Sequence, residues 1–112
     1  MKIITFGYLY CSHNKPFQWR AELREEDDRG NRGTDIASRS GSSNTAKEFF
    51  TVVGEINDKN NDHGTDDYEI GMKVWHSCTE SGKSVYNTDY RFDFKVPVTE
   101  SEIWYFYTDV LQ

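Results

Sequence analysis

The stretch Tyr68-Glu69-Ile70-Gly71-Met72-Lys73-Val74-Trp75-His76-Ser77-Cys78 decides the fold of this chain. Large apolar side chains occupy every second position at its start: Tyr68, Ile70, Met72 and Val74. Successive side chains of a strand point to opposite faces, so this alternation predicts a half-buried β-strand. The same parity continues to His76 and Cys78, and the strand therefore directs a thiol towards the interior. The other cysteine, Cys11, ends a second apolar run, and we expect the two to meet.

Further segments carry strand-like patterns with turn residues between them: 2–11, 18–25, 34–39, 48–56, 86–98 and 103–110. The small polar residues 41–46 predict a loop, and Gly7 marks either a bulge or a close approach within the first strand. No segment predicts a helix. About seven short strands predict an all-β fold, a seven-stranded antiparallel β-sandwich in a single domain spanning residues 1–112. An immunoglobulin-like sandwich is the alternative, because the number of strands does not determine their order.

Composition narrows the possible partners. Apolar residues make up 36% of the 112 residues and aromatic residues 15%, so a few large rings must supply much of the buried area. The net charge of −6 argues against nucleic acid, because binding to phosphate backbones needs a positive surface. No apolar run is long enough for a transmembrane segment. The interspersed charges favour a monomer or a weak dimer.

Cys11 and Cys78 are the two cysteines, and a disulfide between them is the favoured interpretation. The alternative is a reactive or metal-binding pair, but no third or fourth soft ligand stands at a suitable spacing. A disulfide closing so long a loop stabilises the fold by about 4 kcal/mol in the chain-entropy model. His76 lies on the same face as Cys78, which suggests a Cys–His nucleophile. Oxidation of Cys78 would remove that chemistry and leave His76 as a framework residue.

The acidic segment directly before the strand that begins at Tyr68 holds a candidate calcium site. Its oxygen ligands approximate the spacing of a calcium-binding loop: Asp58, Asn60, Asp62, Asp66 and Glu69. Gly64 stands one residue late for the sharp turn that such loops require, and the flanking segments predict strands rather than helices. A solvated acidic loop without metal is the simpler interpretation.

The aromatic run Trp104-Tyr105-Phe106-Tyr107 is longer than one buried face needs. Alternate side chains of a strand point to opposite faces, so half of the run must point outward. Trp104 and Phe106 are therefore candidate binding residues, the alternative being an ordinary exposed edge.

Two segments together resemble the nematode transthyretin-like family. Gly7-Tyr8-Leu9-Tyr10-Cys11, followed by Lys15-Pro16, resembles the motif that opens the family's mature domain. Lys73-Val74-Trp75-His76-Ser77-Cys78 resembles its lysine–aliphatic–aromatic–His–X–Cys strand. The sequence departs from the family at residues 38–44, where a patterned turn is expected, and in the expanded acidic linker at residues 58–67.

The resemblance implies a secreted, extracellular, transthyretin-like sandwich that binds rather than catalyses and needs no cofactor. Members of the family act as extracellular binding or bridging proteins, and some are linked to recognition of phosphatidylserine on dying cells. The expected partner is a cell-surface protein or an anionic lipid headgroup, and Ca²⁺ in the acidic loop would bridge to such a headgroup.

Two alternatives follow from the same resemblance. One is a carrier of a small hydrophobic ligand, with a pocket between the sheets or at a dimer interface. The other is a transthyretin-related hydrolase, a class that requires a His/Arg set and a C-terminal Tyr-Arg-Gly-Ser ending. This chain ends Asp109-Val110-Leu111-Gln112 instead, so no enzyme activity is predicted.

Overall fold

A computed structural model describes residues 1–26, 34–56, 67–87, 94–97 and 99–112 of the chain. These ranges contain no helix and eight strands: β1 (Lys2–Cys11), β2 (Phe17–Glu26), β3 (Thr34–Ser43), β4 (Lys47–Glu55), β5 (Asp67–His76), β6 (Val85–Tyr86), β7 (Phe94–Pro97) and β8 (Glu102–Leu111). The all-β prediction is confirmed for the described part of the chain.

The strands form two sheets. The first sheet has the order β4-β1-β8, and the second has the order β3-β2-β5, with β6 and β7 both pairing with the far edge of β5. Every pair in the second sheet is antiparallel, as is β1–β4, but β1 and β8 are parallel. The expectation of a wholly antiparallel arrangement was therefore wrong at this pair. Parallel neighbouring strands need a long crossover connection. Here the chain between the end of β1 at Cys11 and the start of β8 at Glu102 forms that connection.

The core lies between the two sheets and joins side chains from both. Ile3, Leu9 and Phe50 of the first sheet share one apolar cluster with Trp19 and Leu23 of the second. The inward parity predicted for β5 is confirmed, because Tyr68, Ile70, Met72, Val74, His76 and Cys78 are all buried. The other parity is less exposed than expected, since Glu69 and Gly71 are buried as well.

Two strand boundaries differ from the prediction. The loop expected from Gly41 begins three residues later, because β3 pairs with β2 as far as the Phe17–Ser43 pair. Gly41 lies against the indole of Trp19, where a Cβ would stand 2.7 Å from a ring carbon. Ladder pairing and this contact outweigh the weak strand propensity of the serine-rich segment. The single strand expected over residues 86–98 is represented by two short strands, β6 and β7, and residues 88–93 lie outside the described ranges.

Gly7 marks a close approach and not a bulge. A Cβ at Gly7 would stand 1.6 Å from the backbone oxygen of Tyr107 in β8. The register between β1 and β8 continues without a shift from the Lys2–Glu102 pair to the Cys11–Leu111 pair. Glycine is therefore required for the two backbones to pack side by side.

The expected disulfide is present in the structure. Cys11 ends β1 in the first sheet, Cys78 follows β5 in the second, and their Cα atoms are 5.5 Å apart. Both residues are buried in the shared core. The bond therefore links one sheet to the other.

Candidate binding surface

The outer face of the first sheet carries an apolar surface that we call the aromatic face. Side chains of one parity in β1, β4 and β8 point into the core, and those of the other parity point outward. The outward apolar set is Ile4, Phe6, Tyr8, Tyr10, Phe49, Val53, Trp104, Phe106 and Val110. Because β1 is the central strand, this set runs across all three strands as one surface.

Solvent reaches much of the aromatic face. Trp104 is 67% exposed, Phe106 56% and Phe49 54%. Val53 and Val110 are similarly exposed, so this face holds most of the exposed large hydrophobic residues in the described part of the chain. Contiguous exposed apolar surface of this kind is typical of interaction sites, ligand grooves and aggregation-prone surfaces.

Ring-to-ring contacts hold the aromatic face in a defined shape. The ring of Phe6 packs edge-on against both Trp104, with centroids 6.0 Å apart, and Phe106, 5.4 Å apart. Tyr8 makes a similar contact with Phe49 at 5.5 Å. Such pairs contribute about 0.5–1.5 kcal/mol each beyond the area they bury. The planes cross at 63° to 73°, so the rings form ridges and not a flat platform.

Charged side chains frame the aromatic face without dominating it. The ammonium of Lys47 lies 4.6 Å from the ring centroid of Tyr8 and 5.6 Å from that of Tyr10, within the range of cation–π attraction. At the other side of the sheet, Trp104 Nε1 donates a hydrogen bond to Glu102 Oε2 at 3.1 Å. Lys2 and Glu55 share the outward parity at the same end of the sheet as Glu102, so charged side chains border the apolar surface at both ends of its strands.

The outer face of the second sheet has the opposite character. Arg20 Nε lies 3.2 Å from Glu22 Oε1, and the hydroxyl of Tyr86 donates to the same carboxylate oxygen at 3.2 Å. The ammonium of Lys73 stands 4.1 Å over the Tyr86 ring. Polar side chains here surround the exposed Trp75, and a recess of about 520 Å³ beside it is lined mainly by polar residues.

His76 is a framework residue, as expected. Its side chain is 1% exposed, and its Nδ1 accepts a hydrogen bond from the backbone N–H of Cys78 at 3.1 Å. Burial lowers the pKa of His76 below its ordinary value, although nearby Asp109 acts in the opposite direction. Because Cys78 is disulfide-bonded, it offers no thiolate for a Cys–His nucleophile.

The candidate calcium ligands lie mostly beyond the described ranges. Four of the five lie outside the described ranges: Asp58, Asn60, Asp62 and Asp66. Glu69 is buried within β5, and one of its carboxylate oxygens lies 3.7 Å from the ammonium of Lys95. Among the described residues, no group of three or more His, Cys, Asp or Glu side chains is arranged to hold a metal ion.

Sequence reasoning named Trp104 and Phe106, and both lie on the aromatic face. It did not assign Phe49, Val53 or Phe6 to a binding surface. The signals were present, because two adjacent phenylalanines at 49 and 50 cannot both point inward, and β1 carries apolar groups of both parities. The sequence pattern does not reveal that β4 and β8 pair with the two edges of β1.

Within the described ranges, no helix is long and apolar enough to cross a membrane. Comparisons with protein-family models, with curated proteins and with solved structures each found no match to this chain.

Proposed function

We propose that this protein is a secreted, transthyretin-like β-sandwich that works as an extracellular binding protein, with the aromatic face as its binding surface. Each of the two motifs that resemble the transthyretin-like family contains one cysteine, and the disulfide joins these two residues, Cys11 and Cys78. Counting β6 and β7 as parts of one strand gives the seven strands of the expected fold. A disulfide also persists best in an oxidising compartment, which supports secretion.

The exposed aromatic face is the observation that carries the proposed function. Aromatic side chains dominate the energetic centres of protein interfaces, because they bury a large area at low cost in conformational entropy. Here Trp104, Phe106 and Phe49 are held by ring contacts before any partner arrives. A surface organised in advance loses less entropy on binding.

A cell-surface protein is the favoured partner. The crossed ring planes suit an uneven protein surface, and the net charge of −6 opposes approach to an anionic membrane. An anionic lipid headgroup remains the competing partner, with Ca²⁺ in the acidic loop supplying the missing positive charge.

Trp104→Ser and Phe49→Ser test the surface. Each should raise the Kd for intact cells of the source organism at least about tenfold, because each removes an aromatic anchor worth more than about 1 kcal/mol. Trp75→Ser makes the same kind of change on the second sheet and should leave the Kd unchanged. Fluorescently labelled protein titrated onto the cells gives the measurement.

Equal binding by all three variants would contradict the proposed surface. A parallel titration uses phosphatidylserine vesicles with and without Ca²⁺. Binding to vesicles that requires both the lipid and the metal, and that survives Trp104→Ser, would assign the function to the headgroup instead.

A further inference from the structure

One edge of β8 faces away from β1 and pairs with no other described strand. We propose that this edge pairs with β8 of a second copy of the chain, in antiparallel orientation about a twofold axis at Phe106. The two three-stranded sheets then become one six-stranded sheet. This interface is distinct from the aromatic face and goes beyond the proposed function.

The backbone of β8 shows which groups face this edge. The carbonyl of Ser101 accepts from the N–H of Lys2 at 2.8 Å, and the carbonyl of Leu111 accepts from the N–H of Ser12 at 2.9 Å. Backbone groups of successive residues in a strand alternate between its two sides. The backbone N–H and C=O groups of the odd-numbered residues in β8 therefore point towards β1. Those of the even-numbered residues from Glu102 to Val110 point away from it. Among the described strands, only β1 pairs with β8.

The middle of β8, residues 103–108, lacks the usual protection against pairing, because the charges of this strand lie near its ends at Glu102 and Asp109. Natural edge strands carry lysine, proline, inward charges or bulges that block another strand. Residues 103–108 contain no charge and no proline, and their register with β1 has no shift. The opposite edge of this sheet differs because β3 lies against β4: Ile36 lies next to Gly54, and Arg39 Nη1 donates a hydrogen bond to the backbone oxygen of Thr51 at 3.4 Å.

A second copy of β8 is complementary to the first. Pairing about Phe106 sets Trp104 opposite Thr108 of the second copy, Glu102 opposite Val110 and Ile103 opposite Asp109. Each acidic residue therefore faces an uncharged one, and no like charges meet directly. All outward N–H and C=O groups from Glu102 to Val110 gain hydrogen-bond partners in this register. An isologous contact of this kind closes after two copies.

Proline at Thr108 tests the pairing with little effect on the protomer. The N–H of Thr108 points away from β1 and its side chain is exposed, so Thr108→Pro removes only an edge donor. Thr108→Ala keeps the N–H and serves as the matched control. In sedimentation velocity, we expect the unaltered protein and T108A at about twice the chain mass of 13.1 kDa, and T108P at that mass.

Hydrogen exchange on the unaltered protein supplies a measurement that does not depend on a variant. The amides of Trp104, Phe106 and Thr108 should be protected in concentrated solution and exchange fast on dilution. Their odd-numbered neighbours should stay protected in both. A protein that sediments as a monomer at every concentration, or even-numbered amides that exchange equally fast at both concentrations, would overturn the proposal.

The two proposals fail separately. Trp104→Ser changes the aromatic face but not the backbone edge, so this variant should lose affinity for cells and still form dimers. Thr108→Pro should form no dimers, but each monomer should keep the affinity of its aromatic face for cells. Loss of both properties in both variants, with the fold intact by thermal unfolding, would refute the separation of edge from face.

Discussion

At the scale of single residues, His76 is a buried base held in its neutral form. Its Nδ1 accepts the hydrogen bond from the N–H of Cys78, so the ring proton of the neutral form sits on Nε2. Removal from water disfavours the imidazolium, and this is the main cause of the lowered pKa. Neighbouring Asp109 is itself engaged, since the hydroxyl of Tyr107 donates to its Oδ2 at 2.9 Å.

A lowered pKa at His76 makes the fold sensitive to acid. The unfolded histidine binds a proton near its ordinary pKa of 6.5, whereas the folded one resists protonation until lower pH. The stabilising effect is therefore present above pH 6.5 and is lost as the pH falls below it. We expect His76→Asn, which keeps a hydrogen-bond acceptor, to lose less stability than the unaltered protein on going from about pH 7 to about pH 5.

Urea unfolding at the two pH values measures this difference. Because His13 and His63 are present in both proteins, the comparison isolates His76. Identical losses in the two proteins would show that burial of His76 contributes nothing to the acid response.

At the scale of elements, the β1–β8 pair depends on a missing side chain. Gly7→Ala places a Cβ against the backbone oxygen of Tyr107, which cannot move without displacing β8. We expect the free energy of unfolding to fall by about 1–3 kcal/mol or more. Gly54→Ala is the comparison, because its Cβ would meet side-chain carbons, Cγ2 of Ile36 at 2.6 Å and Cβ of Ala37 at 2.9 Å, and not a backbone oxygen of the paired strand, so its cost should be smaller. Denaturant midpoints at equal m-value decide between them, and an equal or larger loss for G54A would contradict this account.

Local patterns predicted the strands better than their pairing. Alternation located β5 and β2, because one buried face imposes a period of two on the residues themselves. The extension of β3 through Gly41 was not predictable, since it depends on β2 and on the indole of Trp19. The same limit applies to the candidate site. Trp104 and Phe106 were visible as surplus aromatics, but their union with Phe49 depends on β4 and β8 both pairing with β1, which is a non-local choice.

At the scale of the whole molecule, the disulfide joins the two sheets across their shared core. Cys11 and Cys78 are 67 positions apart, so the bond closes more than half of the chain into one loop. Replacing both cysteines with alanine should lower the free energy of unfolding by about 4 kcal/mol, chiefly because the unfolded chain gains conformational freedom. That is a large share of a stability of about 5–15 kcal/mol. The double variant avoids a leftover thiol, and guanidinium unfolding gives the loss. A loss below about 1 kcal/mol would show that the loop does little to restrict the unfolded chain.

Because β1 lies between β4 and β8, its two edges gain their partner strands at different times during synthesis. β4 is available once the residues up to Glu55 have left the ribosome, but the partner for the other side of β1 begins only at Glu102. Until then the nascent chain exposes the edge of β1 that later pairs with β8. Contacts between such distant segments slow folding, and exposed strand edges invite aggregation.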